Sequence, residues 1–221
     1  MSPQEEFLTP IKVTSTSPEK PPTPHKDPRM DLSLDPKTTA LVLIDLQNGI
    51  AARQLAPHAS QDVVRNSVQM ADSLRQKGGT IVFVRVLLGE TLSLPTDAAI
   101  ARPPTPASPQ ASELVPEIIL QPGDQVVAKR QWGAFYGTSL EQHLRRRAIR
   151  TIIFGGIATN FGVESTARAA FDQGYELVFA EDAMSSVSAE AHNFVIKNIF
   201  PRMGRVRSTD QILAACGEQP V

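Results

Sequence analysis

The sequence predicts an α/β fold: a three-layer α/β/α sandwich around a mostly parallel central sheet. Three observations carry this. Ala40–Asp45, Thr80–Val86 and Thr151–Gly155 are short, mainly apolar runs of the kind found in strands buried on both faces. Segments with helical spacing separate them, and repeated β-α units imply parallel strands with helices on both sides. Asp45, Arg85, Lys129 and Gly156–Gly162 fall where strands end, and open parallel sheets hold their sites beyond those carboxyl ends.

The elements follow in order. After the Ala40–Asp45 strand, Val63, Val64, Ser67, Met70, Ala71 and Leu74 recur at helical spacing, and Gly78-Gly79 ends that helix. Thr80–Val86 is the second strand. A proline-rich loop from Pro95 to Pro122 is long for a connection inside a compact domain, which suits a lid or an interface. Val126–Lys129 ends a third strand. Thr138-Ser139-Leu140-Glu141 has the form of a capping box, with Thr138 as N-cap. A helix follows through Arg145-Arg146-Arg147. Thr151–Gly155, a Val163–Gly174 helix, a Glu176–Ala180 strand and an Ala189–Ile199 helix come next. Arg205–Arg207 reads as a last strand and Thr209–Ala215 as a last helix.

Residues 1–36 read as a disordered tail, with residues 37–221 forming the domain. Pro18, Pro21, Pro22, Pro24 and Pro28 lie among Ser, Thr, Lys and Glu, a composition that buries too little apolar surface to offset ordering entropy. At 221 residues the chain can build one α/β domain with a sizeable core. A hydrophobic fraction of 41%, a charged fraction of 20% and a net charge of -1 fit a globular protein and point to neither a nucleic-acid nor a membrane partner. No apolar run reaches the roughly 18 residues of a membrane span, and the N-terminus lacks a secretory pattern. The single cysteine, Cys216, allows no intrachain disulfide. Together these features make a cytoplasmic location the expectation.

The strand ends carry the candidate chemistry. Asp45 closes an apolar strand, where desolvation can raise its pKa and suit it to acid or base work; alone, it would equally suit a cap of the Asp45–Gly49 turn. Lys129 would approach it from a neighbouring strand, orient it and stabilise negative charge. Arg130 should point the other way, because strand side chains alternate. Trp132, Phe135 and Tyr136 either wall a pocket or pack in a core or interface. Arg85 could pair with a substrate carboxylate. Thr159 and Asn160 suit capping of the next helix. His58, His143 and His192 show no metal-ligand spacing, and Gly155-Gly156 lacks the dinucleotide fingerprint, so neither a metal nor a cofactor is expected.

Three segments resemble one family. They are Leu41-Val42-Leu43-Ile44-Asp45-Leu46-Gln47-Asn48-Gly49, Val126-Val127-Ala128-Lys129-Arg130-Gln131-Trp132-Gly133-Ala134-Phe135-Tyr136, and Ile157-Ala158-Thr159-Asn160-Phe161-Gly162-Val163-Glu164-Ser165-Thr166-Ala167. The chain is identified from about Thr38 to Leu213 as a member of the isochorismatase-like hydrolases, also called cysteine hydrolases. In that family an aspartate, a lysine and a cysteine form the catalytic triad, and Asp45, Lys129 and Gly162 occupy those positions. The resemblance also implies a cis peptide at Ile157-Ala158 and places Ala158, Thr159, Asn160 and Phe161 beside the substrate.

Gly162 is the departure. Without a thiol, the resemblance points to the branch with glycine there, in which a protonated aspartate and water hydrolyse a vinyl ether such as isochorismate. Isochorismatases carry a tyrosine where this chain has Ala158 and a glutamine near Arg85. Nicotinamidase relatives carry metal-binding residues where Val86-Leu87-Leu88-Gly89-Glu90 stands. The leading expectation is a cofactor-free hydrolase of a small anionic metabolite. The alternative is a non-catalytic member that binds a ligand or partner through the same cleft. The resemblance further implies a homo-oligomer, a dimer or tetramer.

Overall fold

The computed structural model describes residues 32–98 and 107–216. Six strands form one sheet in the order β3-β2-β1-β4-β5-β6, and every adjacent pair is parallel. They are β1 (Thr39–Ile44), β2 (Thr80–Val86), β3 (Gln125–Lys129), β4 (Thr151–Ile157), β5 (Glu176–Ser185) and β6 (Gly204–Arg207). The helices are α1 (Asn48–Ala51), α2 (Ser60–Gln76), α3 (Leu140–Arg146), α4 (Glu164–Asp172), α5 (Ala189–Phe194) and α6 (Thr209–Ala215). The chain winds outward from β1 through β2 to β3, then returns to the other side of β1 for β4. That reversal opens a crevice beyond the ends of β1 and β4, where such sheets bind ligands.

Strand alternation builds two cores. Leu41, Leu43, Phe83 and Ile153 pack with α2 and α6 on one face. Val42, Ile44, Val84, Val127 and Phe154 pack with α3 and α4 on the other. Glycine brings β1 and β4 close at the crevice. Gly156 pairs with Ile44 and has φ +114, and a Cβ there would lie 2.1 Å from the Ile44 carbonyl oxygen. Only glycine accepts both conditions.

Several boundaries differ from the sequence reading. The packed domain begins before residue 37: Leu32 and Leu34 are buried in the α2/α6 core, and Leu34 N–H donates to the Ala215 carbonyl at 3.3 Å. Residues 1–31 of the expected tail, and residues 99–106 of the proline-rich loop, lie outside the described residues. Residues 110–118 of that loop are bound to the domain rather than free: Val115 and Ile118 are buried, and Asn48 bonds the Gln110 and Glu113 carbonyls. The expected capping box at Thr138 is absent. Ser139 is the N-cap of α3, Thr138 Oγ1 accepts from Leu140 N–H, and Glu141 turns to Arg145 instead of reaching back. A full capping box stands at Ser208 and Gln211, opening α6. The helix expected from Val163 is preceded by a π-helical turn, Thr159–Val163.

Candidate active site

Asp45 lies one residue beyond β1, with φ 53, in the left-handed region that aspartate tolerates better than most side chains. Its N–H donates to the Val84 carbonyl at 2.8 Å. Two residues on, the wholly buried Gln47 fastens the strand exit. Its Oε1 accepts from Val86 N–H at 2.7 Å, and its Nε2 donates to the Val86 and Ala111 carbonyls at 3.0 and 3.1 Å. The amide orientation follows, because only the oxygen can accept from an N–H. β1, β2 and the proline-rich loop are thereby locked together around Asp45.

Lys129 ends β3 on the face of Val127, and its ammonium is buried. Nζ lies 2.9 Å from Asp45 Oδ2 and donates to the Trp132 carbonyl at 2.6 Å. Asp45 Oδ1 is buried with no hydrogen-bond partner among the described residues. Burial pushes the Asp45 carboxyl up to about 6, against the opposing pull of the Lys129 ammonium. The result is a desolvated carboxyl that can hold or release a proton near neutrality.

Gly162 completes the cluster. A Cβ there would lie 2.9 Å from Lys129 Nζ, 3.0 Å from Ile44 Cγ2 and 3.2 Å from Asp45 Oδ2. The position that the sequence resemblance assigns to a nucleophile thus faces the ion pair directly. Thr166 ties it to the lysine's loop: its hydroxyl donates to the Gly162 carbonyl at 2.6 Å and accepts from Ala134 N–H at 3.1 Å. Trp132 and Phe161 meet edge to face, with centroids 4.9 Å apart, and Trp132 is 55% exposed. The Ile157-Ala158 peptide bond is cis, as the sequence resemblance implies.

Other expected site residues are placed differently. Arg85 lies within β2, pairs with Ala128 and takes the face opposite Lys129, because side chains alternate. Its Nη1 donates to the Ser112 carbonyl at 3.4 Å. Phe135 is buried against Tyr175, centroids 6.2 Å apart, and belongs to the core rather than a pocket wall. Tyr136 is exposed. Arg130 does point away, to Glu90 at 2.6 Å. Neither Thr159 nor Asn160 caps a helix. Thr159 is buried between Ser185 and His192, and Asn160 Oδ1 accepts from Ser186 Oγ at 2.5 Å.

Sequence reasoning assigned no role to Gln47 or Thr166. Gln47 carries a signal, as an amide amid apolar strand-end residues. It also dismissed the histidines. His58 and His192 come together at Glu181, 3.0 and 3.8 Å from its Oε1. Spacing along the chain could not reveal this, because the three residues come from separate elements. A surface groove of about 520 Å³ between α1, α2 and Val115–Glu117 is lined by neither Asp45 nor Lys129.

The Isochorismatase domain family matches residues 39–211. The isochorismatase family protein YecD of Escherichia coli O157:H7 is 46% identical over 196 residues, covering 83% of this chain and 99% of that protein. The ureidoacrylate amidohydrolase RutB of Stutzerimonas stutzeri (strain A1501) is 30% identical over 215 residues, covering 86% of this chain and 87% of RutB. A solved isochorismatase family structure from Burkholderia thailandensis is 40% identical, with a TM-score of 0.78, and the match covers 85% of this chain and 99% of that one. With the fold and these likenesses in agreement, the chain belongs to the isochorismatase family of hydrolases.

Proposed function

We propose that this hydrolase acts on a small anionic metabolite through Asp45 and water, without a thiol. One observation carries the reading: the Asp45–Lys129 pair is buried and 2.9 Å apart, while the residue facing both, Gly162, has no side chain. An attacking thiolate is therefore not part of the chemistry. A carboxyl raised to about 6 suits a general acid.

The reaction that fits is hydrolysis of a vinyl ether. Protonated Asp45 gives its proton to the terminal vinyl carbon, the C=C π pair forms the new C–H bond, and an oxocarbenium ion results. Water adds to the cationic carbon, and its lost proton restores Asp45. The hemiketal then collapses, breaking the bond to the ether oxygen, which leaves as an alcohol as the carbonyl forms. From isochorismate the products are pyruvate and a dihydroxycyclohexadiene carboxylate. Lys129 orients Asp45 and stabilises its ionised form. Backbone N–H groups near Ala158 and Gly162 hold the substrate, with Trp132 and Phe161 over it. No cofactor takes part, and the enzyme works as a homo-oligomer.

The test is pyruvate release from isochorismate and a panel of enol ethers and amides, coupled to lactate dehydrogenase where pyruvate forms, with Asp45→Asn alongside. Turnover of an enol ether by the wild type alone supports the reading. Turnover that persists in Asp45→Asn, or amide cleavage with no enol ether cleavage, overturns it. Saturable binding without turnover of any compound supports the non-catalytic alternative.

A further inference from the structure

His58, Glu181 and His192 place three ligand atoms within 4.8 Å of one another. We propose that His58 Nε2, Glu181 Oε1 and His192 Nε2 bind a divalent transition-metal ion, and that Zn²⁺ is the ion their chemistry fits.

The hydrogen bonds around His192 determine its tautomer. Thr159 has one hydroxyl proton, which it donates to the Ser185 carbonyl at 3.1 Å. Toward His192 Nδ1, 2.8 Å away, Thr159 Oγ1 is therefore the acceptor, and Nδ1 carries the ring's proton. In the neutral ring Nε2 is then a bare lone pair. It is fully buried, has no hydrogen-bond partner among the described residues, and faces Glu181 Oε1 at 3.8 Å. A buried lone pair opposite a carboxylate is an unfavourable arrangement that a cation between them reverses.

The geometry matches a metal. Ligands at about 2.0–2.2 Å from a tetrahedral ion stand roughly 3.3–3.6 Å apart. The observed Glu181 separations, 3.0 Å to His58 and 3.8 Å to His192, bracket that range. The imidazole rings meet at 77° rather than stacking. Two imidazoles and a carboxylate are a borderline ligand set suited to zinc. Binding replaces the proton in the His58–Glu181 hydrogen bond, and the neutral ring then carries its one proton on Nδ1.

The ligands are held in place by bonds that need no ion. Ser185 Oγ donates to the His58 carbonyl at 2.7 Å, and Ala56 pairs with Ser186 in a short bridge. The Ser185–Thr159–His192 chain is the kind of outer shell that orients a metal-bound imidazole. His192 forms the buried floor, while half-buried His58 and Glu181 leave an entry path. A bound ion would tie the segment before α2 to β5, to α5 and, through Thr159, to the turn carrying Gly162. The proposal does not depend on the Asp45 reaction.

The experiment uses the untagged full chain, stripped with EDTA and titrated with Zn²⁺ by calorimetry and with Co²⁺ by absorption. One ion per chain is expected, with Co²⁺ d–d bands and no thiolate charge-transfer band. Glu181→Gln and His58→Ala, at half-exposed positions, should each weaken binding at least as much as the about 10–100-fold typical of losing an outer-shell partner. Thr159→Val should fall within that range, and His143→Ala should change nothing. No stoichiometric binding to the wild type overturns the proposal. Binding that survives both Glu181→Gln and His58→Ala, in folded protein, also overturns it.

Discussion

Lys129 Nζ lies 2.9 Å from Asp45 Oδ2, with both side chains almost fully removed from solvent. The two come from β1 and β3, which do not touch as strands; β2 lies between them. Only the strand ends, where Asp45 turns out of β1 and Lys129 reaches over, allow the contact. A charge pair so buried is weak evidence for stability, because desolvation opposes the attraction.

Replacing Asp45 with Asn keeps the shape and removes the proton donor. Turnover of an enol ether substrate should fall by about 10²–10⁴-fold, the usual size of a general acid's contribution. Steady-state kinetics on protein with an unchanged circular dichroism spectrum checks this.

With the Asp45 carboxyl at about 6, the acid form predominates below that pH. The kcat/KM for an enol ether should therefore fall as pH rises through about 6. Lys129→Met removes the ammonium that lowers the Asp45 pKa, so the falling limb should move to higher pH. The same sign governs stability. The folded pKa lies above the ordinary 3.8, so this group's contribution is full below 3.8 and lost as pH rises through about 6. A limb that stays in place in Lys129→Met would separate the pair electrostatically.

Gly162→Ala inserts a methyl 2.9 Å from Lys129 Nζ and 3.0 Å from Ile44 Cγ2. Overpacking of this kind costs about 1–3 kcal/mol. In a domain of this size that is roughly 2–4 °C of Tm per kcal/mol, readable by thermal denaturation. An unchanged Tm would mean that Lys129 moves aside freely.

Gln47→Leu abolishes three hydrogen bonds and leaves Val86 N–H without its acceptor. A buried unsatisfied donor costs about 1–3 kcal/mol. Both stability in urea and turnover should fall, because Asp45 is displaced with its strand exit.

Trp132 is the only tryptophan and is half-exposed against Phe161. Its fluorescence should change when substrate or product binds. Trp132→Ala should raise KM more than it lowers kcat, since the Lys129 contact is to the backbone carbonyl.

Much of the fold could be read from the chain. Thr80–Val86 and Thr209–Ala215 are the expected elements to the residue, because apolar runs and helical periods are local properties. β5 runs to Ser185 rather than Ala180, since pairing with β4 continues past the charged pair Glu181-Asp182. Local polarity argued for an end there; the neighbouring strand overrode it.

By itself the sequence determined the α/β layers, the positions of Asp45, Lys129 and Gly162 at strand ends, and the absence of a thiol among them. Tertiary structure alone decided which of these residues meet. It turned Arg85 to the opposite face, put Phe135 into the core, and brought His58, Glu181 and His192 together from a loop, a strand and a helix. The physical reason is separation along the chain. Propensity and periodicity act over a few residues, whereas a site is built by sheet order and strand register, which join residues more than a hundred positions apart.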